Sequence, residues 1–223
     1  FHTAWPAGVT ILAGDALLAQ TAGLVAELGR PRILSVFAEA LCTMSIGEIQ
    51  QVMTIGRDCC SRAAYYQRIE AKTASLCAAA TEMAGVLARA EEEQVVALRR
   101  YGRELGLAFQ IVDDVLDFVG DEAQLGKPAG SDLRQGLVTL PVICYLERVT
   151  NDGAVRAVLA GRQDEDHVQT AVEAVCGSGT VEAAIAEAHA HVDLAREALG
   201  GLPDGLPRQC LDGLAQYVVQ RQR

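Results

Sequence analysis

The sequence predicts an all-α protein folded as one helical bundle. Half of its 223 residues are apolar but only 4% are aromatic, and the abundance of alanine and leucine favours packed helices over stacked sheets. Long stretches read as helices between glycine and proline breaks, and no strand pattern stands out. No internal repeat or low-complexity linker divides the chain, so residues 1–223 read as one domain.

The first helix is expected over Gly8–Leu28, with Val9, Leu12, Ala16, Ala19 and Gly23 along one side and Gly29 just past its end. Pro31 suits the first turn of a second helix running to about Val52. That helix is apolar up to Met44 and turns polar at Gly47-Glu48-Ile49-Gln50-Gln51, either where it lines a site or where it leaves the core. Residues 56–61 form a polar loop. A third helix runs from about Arg62 to Ala90, carrying Lys72, Thr73 and the small run Ala78-Ala79-Ala80. Glu91–Val119 is a fourth, with Glu91, Glu92 and Glu93 at the positive end of its dipole.

Residues 121–136, DEAQLGKPAGSDLRQG, are a long loop of the kind that often closes over a ligand. Leu137–Arg148 reads as a short apolar helix with Pro141 near its start, where proline is tolerated. Helices over Val155–Leu159, Glu165–Val175, Val181–Leu199 and Leu206–Gln220 complete the chain, separated by Gly177-Ser178-Gly179 and Gly200-Gly201.

The stretch GLAFQIVDDVLDFVG, Gly106–Gly120, is the most unusual. Asp113 and Asp117 are four apart, Asp114 and Asp117 three apart, and Gln110 precedes Asp113 by three, so these side chains share a face of the fourth helix. Ala108, Ile111, Val112, Val115, Phe118 and Val119 cover the rest of the cylinder. Like charges at this spacing repel, more strongly when partly desolvated. The stripe is either a solvated helix edge or a divalent-cation site, and all-oxygen ligands point to Mg²⁺ with a shared phosphate.

Net charge is −10, which argues against a nucleic-acid partner. An acidic chain that handles a phosphorylated ligand needs metal ions or local basic groups. The seven cysteines include no CxxC metal spacing and read as reduced core residues of a cytoplasmic protein. No uninterrupted apolar run reaches membrane-spanning length, so stable membrane insertion is not expected. The opening FHTAWPAG reads like a loop entering a helix, and an N-terminal portion is expected to precede it.

From Gln110 to Asp132 the chain closely resembles the trans-isoprenyl diphosphate synthases, or polyprenyl synthetases. GLAFQIVDDVLDF, then GKPAGSDLRQG and TLP, resembles the second aspartate-rich motif of the family and the loop after it. KTASL, Lys72–Leu76, is similar to its lysine–threonine motif, and ILAGDALLAQ (Ile11–Gln20) and GEIQQ (Gly47–Gln51) are weaker matches in the expected order. The resemblance implies a helical bundle of the isoprenoid synthase type around a central cavity, usually a homodimer. It implies Mg²⁺-dependent joining of an allylic diphosphate to isopentenyl diphosphate, with two facing aspartate-rich motifs holding the ions.

On this reading Asp113, Asp114 and Asp117 are the metal site, with Asp113 and Asp117 as the natural pair and Asp114 as ligand or support. Lys72 and Lys127 contact the allylic diphosphate, and Thr73 offers a hydroxyl near the reacting carbon. Gln110 bonds the diphosphate side or steadies an aspartate, and Asp132 holds a lysine or a metal-bound water. The expected product is of the geranyl, farnesyl or geranylgeranyl type, since ILAGDALL looks more like short-chain members.

Two departures matter. The first aspartate-rich motif of the family, expected upstream of FHTAWPAG, is not in this sequence. Leu137 stands in DLRQGLVTLP where the family commonly has a lysine, removing a positive charge near the diphosphate. These keep open a non-catalytic subunit that pairs with an active synthase. A class I terpene cyclase fits less well: after Asn151-Asp152 its second metal motif needs Ser or Thr and then Glu where Val155 and Leu159 stand.

Overall fold

The computed structural model describes residues 5–54, 61–120, 129–149 and 153–221. The described residues contain helices and no strand, as expected. They are α1 (Ala7–Glu27), α2 (Pro31–Thr54), α3 (Arg62–Ile69), α4 (Ser75–Leu87), α5 (Glu92–Val119), α6 (Ser131–Arg134), α7 (Leu140–Arg148), α8 (Gly153–Leu159), α9 (Glu165–Cys176), α10 (Thr180–Ala198) and α11 (Leu206–Gln220). A five-residue π turn, Glu70–Ala74, joins α3 to α4, and a short 3₁₀ turn, Leu199–Gly201, follows α10.

The long α5 is the axis of the bundle. Its N-terminus is closed by a capping box in which Glu91 and Gln94 bond each other's backbone N–H groups. It packs chiefly along α4 on one side and α10 on the other. Tyr101, Leu107, Ala108, Ile111, Val112 and Val115 of α5 lie in one hydrophobic cluster that draws on every helix from α3 to α11 except α4. Small residues let α4 and α5 approach closely: Gly102 faces Cys77, Gly106 faces Ala74, and Gly85 faces Val95 and Leu98, so the two run antiparallel.

Several expectations are corrected. The helix foreseen over 62–90 is interrupted by the π turn. The helix foreseen from Leu137 starts at Leu140, because Thr139 in extended conformation precedes it and Pro141 occupies its first turn. Part of the long loop is helical, as α6. The apolar side of the first helix is not covered: α1 has no buried residue, and Val9 and Leu12 are 46% and 67% exposed. By length and apolar composition alone, α1 and α2 could each span a membrane. Among the cysteines, Cys144 is buried but Cys42 and Cys210 are exposed, while Cys59 and Cys60 lie outside the described residues.

Candidate active site

The π turn is the local feature that builds the site. In it the Ser75 N–H reaches the Glu70 carbonyl, five residues back, instead of four. Two neighbouring helices clasp it where only glycine fits. A Cβ at Gly47 of α2 would lie 2.7 Å from Ala71 Cβ, and one at Gly106 of α5 would lie 2.6 Å from Ala74 Cα. Between these contacts sit Lys72 and Thr73. Arg103 of α5 secures the turn further, with its guanidinium forked on Glu70 at 2.7 and 3.0 Å.

Lys72 lies 3.1 Å from Glu48 of α2. The polar end of α2 therefore meets Lys72 through Glu48. The Thr73 hydroxyl donates to Gln110 Oε1 at 2.7 Å, and Gln110 Nε2 donates to Asp114 Oδ1 at 2.9 Å. The Tyr65 hydroxyl donates to the other Asp114 oxygen, Oδ2, at 2.8 Å. Burial pushes the Asp114 carboxyl up to about 7, although the bonds from Gln110 and Tyr65 favour its ionised form. Burial and the Asp114 charge raise the Tyr65 phenol well above its usual value.

The three aspartates share a helix but not an environment. Asp113 is the open one, its side chain 55% exposed and 3.7 Å from the Arg221 guanidinium. Asp114 points inward to Tyr65 and Gln110. Asp117 is buried and ties down the returning chain: Asp132 N–H donates to its Oδ2 at 2.9 Å and Gly130 N–H to its backbone carbonyl at 2.7 Å. Asp132 is thus brought beside Asp117, in the first turn of α6. Lys127 lies outside the described residues.

Two residues emerge that sequence reasoning passed over. Tyr65 precedes Lys72 by seven, two helical turns, which was the available signal, but a tyrosine between apolar residues also reads as core. Arg68 lies over the Tyr65 ring at 5.4 Å and donates to the Val138 carbonyl at 2.6 Å. It places a cation beside Leu137, where the family's usual lysine is missing.

Among the described residues, no three His, Cys, Asp or Glu side chains converge into a closed metal cage. The donor chemistry still fits Mg²⁺, which takes one or two carboxylates and fills its other positions with phosphate oxygens and water. Asp113 offers an exposed carboxylate of that kind, and Asp117 lies one turn further along.

Comparison with known proteins shows the family. The sequence profile of the polyprenyl synthetase family matches residues 1–175. Heptaprenyl diphosphate synthase component 2 of Geobacillus stearothermophilus is 37% identical over 97% of this chain and 68% of its own length. Octaprenyl diphosphate synthase of Escherichia coli is 34% identical, over the whole of this chain and 69% of its own. Among solved structures, a polyprenyl synthase from Caulobacter crescentus, complexed with calcium and isoprenyl diphosphate, superimposes with a TM-score of 0.92 at 36% identity, covering 100% of this chain and 69% of that one.

Proposed function

We propose a function from one premise: the chain belongs to the polyprenyl synthetase family. The reading is a Mg²⁺-dependent prenyltransferase that condenses an allylic diphosphate with isopentenyl diphosphate to a longer trans-prenyl diphosphate. The observation that carries it is the junction of the Lys72–Thr73 turn with the aspartate helix through the 2.7 Å bond from Thr73 to Gln110. It gathers a cation, a hydroxyl, an amide and carboxylates at one end of the α4–α5 pair.

Bound Mg²⁺, held by Asp113 and Asp117, would supply positive charge to the departing diphosphate as the allylic C–O bond ionises. Lys72 exchanges its Glu48 partner for a diphosphate oxygen, and Lys127 adds a second cationic contact. Asp132, whose N–H is bonded to Asp117, would hold a lysine or a metal-bound water. The Thr73 and Gln110 oxygens face the allylic carbon as it becomes cationic, a preorganised electrostatic contribution. Attack by the isopentenyl double bond and loss of a proton then give a chain one isoprene unit longer.

We read the product as long-chain, because most of the named relatives are heptaprenyl, octaprenyl or solanesyl synthases. This moves the expectation away from the geranyl-to-geranylgeranyl range suggested by ILAGDALL. The test is to incubate the full-length protein with Mg²⁺, labelled isopentenyl diphosphate and dimethylallyl, geranyl or farnesyl diphosphate. Extended prenyl diphosphates are expected, and no product from any primer would overturn the enzyme reading.

The second reading, a subunit that works only with a partner, is favoured by the name of the Geobacillus relative, a component 2. Product appearing only after a second component is added would support it. We also propose a cytoplasmic homodimer in which a second copy of the chain packs on the exposed apolar side chains of α1. Leu17→Asp is then expected to halve the mass seen in sedimentation. A monomer before the change would refute the dimer.

A further inference from the structure

Asp114 differs from the other carboxylates of its motif in what its oxygens already do. It is 4% exposed, Oδ2 accepts from Tyr65 at 2.8 Å and Oδ1 from Gln110 at 2.9 Å. At Oδ1 the donor is the NH₂ end of the Gln110 amide. The carbonyl end therefore points the other way, where it accepts from Thr73 at 2.7 Å. Thr73 has one hydroxyl proton, and with that proton given to Gln110 only lone pairs remain for any neighbour beyond it. Tyr65 is itself held in the core, 1% exposed, under the Arg68 guanidinium. The order Tyr65, Asp114, Gln110, Thr73 has one direction, and its open end is an acceptor oxygen.

Resting on the prenyl-transfer reading above, we propose that Asp114 is a positioning residue and not a metal ligand: held by Tyr65, it locks the Gln110 amide so that Thr73 presents acceptor lone pairs, not a proton, to the carbon that becomes cationic. Acceptor oxygens stabilise positive charge developing on carbon, whereas a donated proton opposes it. The division of labour follows from the hydrogen bonds, since both Asp114 oxygens accept from neutral donors. The solvent-facing Asp113 is free to meet a metal, and the buried Asp114 directs neutral groups.

The test uses the full-length protein. Tyr65→Phe deletes one oxygen and keeps the ring. Its kcat is expected to fall by on the order of tenfold, with the KM for the allylic diphosphate and the Mg²⁺ activation constant changed by less than about twofold. In a Gln110→Ala background the same change should lower kcat no further, because its effect passes through that amide, although it still lowers Tm. In Asp114→Asn the new amide can donate to Gln110 Oε1 and turn the Gln110 amide over, so kcat should fall more than in Tyr65→Phe. Calorimetric affinity for Mg²⁺ with inorganic diphosphate should stay unchanged in Asp114→Asn and weaken in Asp113→Asn.

A second readout needs no turnover. The Gln110 side-chain amide should appear in NMR as a slowly exchanging pair that Asp114→Asn abolishes. Absence of product from the unaltered protein would count against prenyl transfer, while the calorimetry and NMR would still decide the role of Asp114. Full kcat in Tyr65→Phe, additive losses with Gln110→Ala, or weakened metal affinity in Asp114→Asn would overturn the proposal.

Discussion

Replacing Gly106 by alanine should misalign the site while leaving every polar group in place. The new Cβ would fall 2.6 Å from Ala74 Cα and 3.2 Å from Ala74 Cβ, whereas carbon atoms in contact sit about 3.5–4.0 Å apart. The π turn and α5 must therefore separate by about 1 Å. Ala74 follows Thr73 in that turn, and Gln110 is the next turn of α5. The same displacement would stretch their 2.7 Å bond to about 3.7 Å, beyond hydrogen-bonding range. Overpacking of this kind costs about 1–3 kcal/mol, and exchanging a mid-helix glycine for alanine returns about 1 kcal/mol. The net loss is about 1 kcal/mol, or a fall in Tm of about 2–4 °C for a chain of this size. Activity should suffer more, since a misplacement of about 1 Å can lower kcat about a hundredfold. Thermal melts and steady-state prenyl transfer measure the two effects. Gly213→Ala in α11, where an added Cβ meets no atom within 4 Å, is the control and should gain about 0.5–1 kcal/mol with activity unchanged. A Gly106→Ala protein with normal kcat and an equal or higher Tm would refute the reasoning.

Other outcomes follow from single contacts. Lys72→Met removes a half-exposed ion pair with Glu48 worth at most about 1 kcal/mol, so melting should barely change while KM for the allylic diphosphate rises; an unchanged KM would remove Lys72 from the site. Asp113→Ala should abolish turnover and leave the fold intact, because the side chain is exposed and its nearest cation is 3.7 Å away; near-normal turnover would show the metal assignment to be wrong. Burial pushes the Glu104 carboxyl up, but His191 at 2.7 Å and Arg103 at 2.6 Å outweigh it and hold Glu104 below its ordinary value of 4.5. A depressed carboxyl contributes stability that is present above its unfolded value and lost as pH falls through the folded one. Acid melts should therefore steepen below pH 4.5, and Glu104→Gln should flatten that part of the curve; identical acid limbs in the two proteins would contradict it.

Much of the architecture was legible along the chain. Caps and breakers placed most helix ends close to where they fall, because Pro31, Gly29 and the acidic turn at Glu91 act through their own backbone. Amphipathic spacing says which side of α1 is apolar, not what covers it. The break at Glu70–Ala74 left no trace in the periodicity of residues 62–90. It is held by Gly47, Glu48, Gly106 and Arg103, which lie far from it in the sequence.

The candidate site divides in the same way. Spacing alone placed Gln110, Asp113, Asp114 and Asp117 on adjoining positions of one helix, and residue chemistry left a solvated edge or a divalent-cation site with a shared phosphate, the diphosphate being what the family resemblance implied. Spacing treated the aspartates as one stripe, since i, i+3 and i+4 positions are near-equivalent on an isolated helix. Packing made them different. Tyr65 and Gln110 enclose Asp114, Gly130 and Asp132 return onto Asp117, and only Asp113 keeps its solvent. The sequence by itself determined the helices and the inventory of reactive groups, because those depend on neighbours a few residues away. Which aspartate stays exposed, which meets another side chain and which way the Gln110 amide points were decided by the tertiary structure, because burial and hydrogen-bond partners come from residues that only folding brings together.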